Sequence, residues 1–157
     1  LLQRIVIARS LFDSQITSQI INRLEQIKND EPPKWGKRNA SKMLAHVNVT
    51  YDLAYGRIKD EKSFIMKFIL KTFIKKIVTN EVPYKPNSRT APVFLISDQK
   101  DFDEEKTKLL INLKDTQAKG SNYFEGKENS SFGKMNSVEW NNLFYKHLDH
   151  HFKQFGI

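Results

Sequence analysis

The sequence predicts an all-α protein, and three of its features lead to this fold class. Apolar residues recur at intervals of three and four over most of the 157 residues, which is the period of an amphipathic helix. All five prolines stand between the periodic segments, where they end helices. No alternation of apolar and polar residues is long enough to build a sheet. A chain of this length supports one hydrophobic core, so residues 1–157 are expected to form a single domain.

The first two helices are predicted over residues 13–28 and 39–58. The first ends at an acidic and proline-rich turn, and Asn39 is the expected N-cap of the second, because its side chain can accept hydrogen bonds from the first turn. His46 lies at the border of the apolar stripe of the second helix, about 60° from its centre on a helical wheel. That stripe consists of Met43, Val47, Thr50, Tyr51, Ala54 and Ile58.

A third helical stretch, residues 61–79, alternates large apolar residues with lysines. The preferred interpretation is an ordinary helix that packs its aromatic face, with Phe64, Phe68 and Phe73, into the protein. The alternative is a basic amphipathic helix that lies on an anionic membrane surface.

An irregular crossover, a fourth helix and a polar segment follow. Prolines prevent a helix over residues 81–97, and a run of acids then opens a helix over residues 101–119, since acids are favourable at a helix N-terminus. Gly120 is expected to end this helix. Residues 121–135 are polar and contain glycine, and they are expected to be irregular.

The last helix is predicted to begin at Asn136, which forms a capping-box pattern with a Glu three residues later. On a wheel centred on the apolar face, His147 and His151 both lie within about 20° of the centre. His150 falls at the rim of that face, and Asp149 is expected to face water.

His147 and His151 predict a metal site, because two imidazoles four residues apart share one helix face. His46 offers a third imidazole. The chain has no cysteine, so a transition metal would have to be held by His, Asp or Glu. Three imidazoles and one open position are typical of a catalytic site rather than a closed structural one. Hydrogen bonding of the buried rings to backbone or water is the competing explanation.

Four stretches resemble an uncharacterised family of the DinB/YfiT-like metal-dependent enzyme superfamily. They are residues 35–46 (WGKRNASKMLAH), 87–90 (NSRT), 132–140 (FGKMNSVEW) and 145–156 (YKHLDHHFKQFG). The resemblance runs from about residue 10 to the end of the chain. It implies a four-helix bundle with a long crossover and, in this chain, an extra short helical segment.

The same resemblance implies one metal-binding histidine on the second helix and an H-x-x-x-H pair on the last. These positions match His46, His147 and His151, whereas His150 has no counterpart in the three-ligand pattern. The relatives include thiol-dependent transferases and isomerases, and others described only as hydrolases. Relatives are often dimers, which suggests a homodimer here.

The expected function is therefore that of a metal-dependent hydrolase or thiol-dependent transferase acting on a small molecule. A divalent ion held by the three histidines would activate water or a thiol, with zinc or nickel as the first expectation and iron or manganese as alternatives. A low-molecular-weight thiol would be a second partner in the transferase case. The alternative is a non-catalytic helical binding module with a structural metal and a basic surface for an anionic partner.

Several further residues are candidates for supporting roles. Asp52, Glu139 and Tyr145 could act as a general base, but Asp52 is more simply a solvated helix residue and Glu139 the capping acid. Gln154 is predicted to orient one of the ligand rings. The pocket walls are expected at Trp35, Tyr51, Tyr55 and residues 87–90.

Charge and hydropathy limit the other partners. The net charge of +8 would suit a polyanion, but the lysines are scattered along the chain rather than clustered, so nucleic-acid binding is not expected. No run of 18 uncharged apolar residues appears, so neither a membrane span nor a signal-peptide core is visible. We expect a cytoplasmic protein without a membrane partner.

Overall fold

The computed structural model describes residues 9–157, and these are mostly helical, as predicted. The expectation about a signal-peptide core concerns mainly residues 1–8, which lie outside this range. The helical elements are α1 (Ser14–Gln26), α2 (Ala40–Ala54), α3 (Phe64–Ile69), a π-helical turn (Leu70–Ile74), α4 (Lys75–Thr79), a 3₁₀ turn (Pro92–Phe94), α5 (Phe102–Phe124) and α6 (Ser137–Gln154).

Four of the five predicted helix starts are confirmed by side-chain caps, whereas α3 begins at Phe64, three residues after the predicted start of its stretch. Asp13 accepts hydrogen bonds from the first turn of α1, Asn39 from α2 and Asp101 from α5. Asn136 and Glu139 form both hydrogen bonds of the predicted capping box at the start of α6.

The end of α2 differs from the prediction. The helix ends at Ala54, four residues before the predicted Ile58, and Gly56 then adopts a left-handed backbone with φ of 68°. The amide groups of Arg57 and Ile58 bond back to the Asp52 carbonyl, which turns the chain away from the helix axis. The apolar period continues through Ile58, so periodicity alone could not locate this end.

The long helices pack on one another around a shared apolar core. α5 lies against α1, α2 and α6, while α2 also contacts α6. Tyr51 of α2 stacks on Phe144 of α6 with ring centroids 4.9 Å apart. Since these residues lie within about one and a half turns of His46 and His147 respectively, this packing holds the histidine-bearing parts of the two helices side by side.

The prediction that the aromatic face of residues 61–79 packs inward is wrong. Phe64, Phe68 and Phe73 are 85%, 60% and 63% exposed. The partly buried side is instead formed by Leu70, Ile74 and Val78, which pack against the core. The stretch carries apolar residues on both faces, and the π-helical turn shifts the phase between its two ends, so a regular wheel could not choose the packing face.

The segment after α5 also departs from the prediction. Gly120 adopts a left-handed φ of 71° and kinks the helix, but a further helical turn continues to Phe124. Residues expected to be irregular then form a hairpin of β1 (Lys127–Asn129) and β2 (Gly133–Met135), with Asn129 paired to Gly133. Strands of three residues are too short to show an alternating pattern.

The predicted crossover is confirmed, since residues 80–101 hold only the short 3₁₀ turn (Pro92–Phe94), which contacts α2. Within residues 9–157, no helix has the length and apolar content needed to span a bilayer.

Candidate metal centre

The structure brings together the three histidines that the sequence singled out. His46 extends from α2, and His147 and His151 extend from α6. One ring nitrogen from each lies within 4.8 Å of the others, and the Nε2 atoms of His46 and His147 are 2.9 Å apart. His46 and His151 are buried, while His147 keeps partial exposure. This three-histidine cluster could hold a metal ion.

The outward-facing nitrogen of each ring has its own hydrogen-bond partner. Nδ1 of His46 donates to the carbonyl of Phe94 at 2.9 Å, and Nδ1 of His151 donates to Oε1 of Gln154 at 2.8 Å. In both rings the hydrogen on Nδ1 leaves a lone pair on Nε2. Metal-binding histidines have this arrangement, in which an outer partner fixes both tautomer and ring orientation.

Gln154 is itself held in place, which confirms the prediction that it orients one of the three rings. Its Nε2 donates to the Trp35 carbonyl at 2.8 Å, so its Oε1 must face His151. Trp35 precedes α2 in the chain, so this amide also connects the end of α6 to the segment that leads into α2.

His147 is the ring whose tautomer can change. Its Nδ1 lies 2.9 Å from Oγ1 of Thr50, a hydroxyl that can either donate or accept. Without an ion, the short contact between the Nε2 atoms of His147 and His46 needs one hydrogen. Because His46 already carries its hydrogen on Nδ1, that hydrogen belongs to His147, and Thr50 then donates. If Thr50 accepts instead, Nε2 of His147 is free to bind a cation.

Burial keeps the three imidazoles neutral. It lowers the pKa of His46 to about 4 and that of His151 to about 3, and it holds the pKa of His147 well below the usual range. The positive charge of Arg38 lowers all three pKa values further. Neutral imidazole is the form that binds a metal ion, so the rings are in the right state for one near pH 7.

The cluster also has suitable dimensions. Ligand nitrogens in a tetrahedral zinc site lie roughly 3.3 Å from one another. The cluster spans 2.9 to 4.8 Å between ring nitrogens, so the rings would have to move by only about an ångström.

A cavity of about 980 Å³ leads to the histidines. Trp35 and residues 87–90 line it, as predicted. Tyr51 and Tyr55 do not: Tyr51 stacks in the core, and Tyr55 forms a hydrogen bond with Thr116 of α5. The prediction for these two tyrosines is wrong because α2 turns them away from the cavity and toward its helical neighbours.

None of the three candidate general bases lines this cavity. Asp52 is buried between Arg57 and Lys108, at 2.6 and 2.7 Å, so its interpretation as a solvated residue is wrong. Glu139 is the capping acid, as expected. The hydroxyl of Tyr145 accepts a hydrogen bond from Arg9 at 2.8 Å.

Two other polar residues of α6, His150 and Asp149, do not belong to the three-histidine cluster. His150 is half-buried between the rings of Trp35 and Tyr84 and lines the cavity. Its ring packs edge-on against that of His151, with centroids 5.0 Å apart, but its nitrogens are not among those that converge. Asp149 was predicted to face water, but it is partly covered by Arg23 of α1, which forms an ion pair with it at 2.9 Å. Burial raises the pKa of Asp149, but its hydrogen bonds to Lys153 and Arg23 outweigh this and lower it overall.

Three groups of the site were not identified from the sequence. Thr50 follows His46 by four residues on the same helix face, so its spacing was a usable signal. The Phe94 carbonyl comes from the irregular crossover, where no pattern indicates which backbone group reaches α2. Arg38 lines the cavity, and nothing in its local sequence sets it apart from the other basic residues.

Comparison with family models, with curated proteins and with solved structures finds no significant match.

Proposed function

We propose that this protein is a metal-dependent enzyme in which His46, His147 and His151 hold a divalent ion and the adjoining cavity binds a small-molecule substrate. One observation carries the proposal: three neutral imidazoles converge at a cavity, and a separate partner holds the outward nitrogen of each. A purely structural role would not require the centre to adjoin a cavity of this size.

When bound, such an ion acts as a Lewis acid that lowers the pKa of a water or thiol beside it, which permits hydrolysis or thiol-dependent group transfer near neutral pH. The chain contributes the side chains and the backbone group that hold the three histidine rings in position. The Phe94 carbonyl and the Gln154 side chain fix the rings of His46 and His151. The Thr50 hydroxyl can switch between donating to and accepting from Nδ1 of His147 when the tautomer of that ring changes.

Imidazole ligands suit zinc and nickel, and iron or manganese are the alternatives. We also propose that the helices form a bundle of DinB/YfiT type. Support for this comes from the placement of one histidine on α2 and an H-x-x-x-H pair on α6, with the long crossover between them.

Metal content tests the centre. The purified chain is stripped with a chelator, reloaded with zinc or nickel, and analysed for metal per chain and for thermal stability. We expect about one ion per chain and a higher melting temperature, because a ligand that binds only the folded state stabilises it. The variants His46→Ala and His151→Ala should lose both effects.

His150→Ala is the matched control, since this histidine lies beside the cluster without joining it. It should retain the metal. Equal metal loss in His150→Ala, or less than about 0.1 ion per chain in the unchanged protein, would contradict the proposed centre.

Turnover tests the enzyme. The metal-loaded protein is assayed with activated esters for hydrolysis, and with low-molecular-weight thiols and electrophilic acceptors for transfer. Activity that disappears in both His46→Ala and His151→Ala supports the proposal. Stoichiometric metal without turnover in either assay would favour a binding module with a structural metal.

A further inference from the structure

Arg38 is a half-buried cation without a counter-ion. Its guanidinium forms no ion pair or hydrogen bond with any of residues 9–157. Burial alone lowers its pKa, and no carboxylate opposes that effect. Taking a guanidinium partly out of water costs free energy unless an anion or another acceptor replaces the lost hydration.

Arg38 is an exception among the basic residues that the structure describes. Every other lysine or arginine of residues 9–157 that is at least partly buried has an oxygen partner. These residues are Arg23, Lys42, Lys62, Lys75, Lys100, Lys106, Lys108, Lys127 and Lys146. The protein therefore satisfies its buried cations elsewhere, and the missing partner of Arg38 is a local feature of the cavity.

The cavity wall offers Arg38 no unpaired acid. Of the described residues that line the cavity, Asp60 is the one acidic side chain, and it is paired with Lys62. Lys37, Lys42 and Arg89 line the same cavity and add positive charge. An anion entering from solvent would find several cations and one half-buried, unpaired guanidinium in the cavity that the three histidines line.

Another part of the cavity wall is apolar. Met66 and Leu70, together with Ile74 and Val78 further along the same stretch, line the cavity, and Leu143 of α6 joins them. A ligand that fills this space therefore gains from an apolar body as well as from a charged head.

We propose that the cavity binds a small amphipathic anion, a carboxylate or phosphate ester with an apolar body, whose charged head pairs with Arg38 beside the three histidines. A planar guanidinium can form two parallel hydrogen bonds with either head group. As the substrate class of an enzyme, this inference rests on the proposed function, but the anion site itself requires no metal.

Binding to chelator-treated protein tests the site. Hexanoate and hexyl phosphate serve as anionic probes, and 1-hexanol is the neutral probe of the same chain length, with affinities measured by ligand-observed NMR. In Arg38→Met we expect at least about tenfold weaker binding of the anions, because the side chain keeps an unbranched apolar stem but loses its charge and its hydrogen-bond donors. Hexanol binding should be unchanged.

Arg89→Met is the matched control, because Arg89 lines the same cavity but is exposed. It should weaken the binding of both anions by less than about threefold, since an exposed charge is screened by water and salt. Arg38→Lys should weaken them to an intermediate degree, because it keeps the charge without the planar pair of donors.

Three results would overturn the anion site. The first is that neither anion binds the unchanged protein, and the second is that Arg38→Met and Arg89→Met weaken anion binding equally. The third is that Arg38→Met weakens hexanol binding as much as it weakens anion binding. The comparison of hexanoate with hexyl phosphate identifies the preferred head group. Because the assay is metal-free, its result is separate from that of the metal experiment. Arg38-dependent anion binding by a chain that takes no metal would leave the anion site standing while the enzyme proposal fails.

Discussion

At the scale of single residues, the site depends on side chains that hold the histidines rather than on the histidines alone. Gln154 illustrates this, since one end of its amide accepts from His151 and the other donates to the Trp35 carbonyl. Gln154→Met keeps the volume and removes both bonds. We expect zinc affinity to fall by about 10- to 100-fold, which is the usual effect of losing such a partner.

A competition titration with a coloured chelator measures this affinity. Gln26→Met is the control, because Gln26 is an exposed residue of α1 that bonds only to a carbonyl of its own helix. Unchanged zinc affinity in Gln154→Met would show that the ring of His151 needs no support from Gln154.

The neutral histidines predict how the metal-free protein responds to acid. Burial lowers the pKa of His46 to about 4 and that of His151 to about 3, whereas in the unfolded chain both return to about 6.5. Between these values the unfolded chain binds protons that the folded chain does not. The free energy of unfolding therefore has its full value above about pH 6.5, and it decreases as the pH drops toward 4.

Urea denaturation of the metal-free protein from pH 7.5 to 4.5 measures this loss, in a range above the ordinary titration of carboxylates. His151→Asn removes one titrating group. The free energy of unfolding of this variant should therefore change less steeply with pH, by up to about 1.4 kcal/mol per pH unit. A stability that stays constant over this range would show that the rings are not buried in their neutral form.

Residue spacing predicted the His147 and His151 pair of the proposed centre, but not everything that surrounds it. The interval of four between His147 and His151 places both on one face whatever the rest of the fold. Arg38 and the Phe94 carbonyl belong to the cavity only because loops between helices bring them there. Such contacts depend on tertiary structure, for which a single sequence carries no periodic signal.

At the scale of elements, helix starts were predicted better than helix faces or ends. Caps are local, so Asn39 and Asn136 identified their helices from a few neighbouring residues. The packing face of the α3–α4 stretch depends on what lies beside it and on a π-helical turn, and the prediction for it was wrong. The strands of the short hairpin were missed because three residues cannot establish an alternation.

The exposed aromatic side of α3 gives a prediction about stability. Phe68 is 60% exposed, whereas Phe152 of α6 is fully buried in the core. Phe68→Ala should therefore change the free energy of unfolding by less than about 0.5 kcal/mol, the usual range for a surface substitution. Phe152→Ala should lower it by about 3 to 5 kcal/mol, because it leaves a cavity in the core.

Chemical denaturation of the two variants at equal protein concentration provides the comparison. A cost for Phe68→Ala close to that for Phe152→Ala would mean that the aromatic side of α3 is covered when the protein is folded in solution.

At the scale of the whole molecule, the proposed centre joins parts of the chain that are far apart in sequence. His46 and His147 are 101 residues apart, and the helices that carry them also meet through the stacked rings of Tyr51 and Phe144. An ion bound between α2 and α6 would therefore resist separation of the two helices. Its effect on stability should extend over both helices rather than stay at the ligands.

Hydrogen exchange measures this directly. At a free zinc concentration of 100 times the dissociation constant, binding stabilises the folded state by about 2.7 kcal/mol, which is about a 100-fold slowing of exchange through global unfolding. We expect the slowest amides of α2 and α6 to gain this protection equally, because both exchange only when the whole domain opens. Amides of the exposed crossover, which exchange through local opening, should change little. Added protection confined to the last turns of α6 would mean that zinc binds the His147 and His151 pair without His46, and the three-ligand centre would then be wrong.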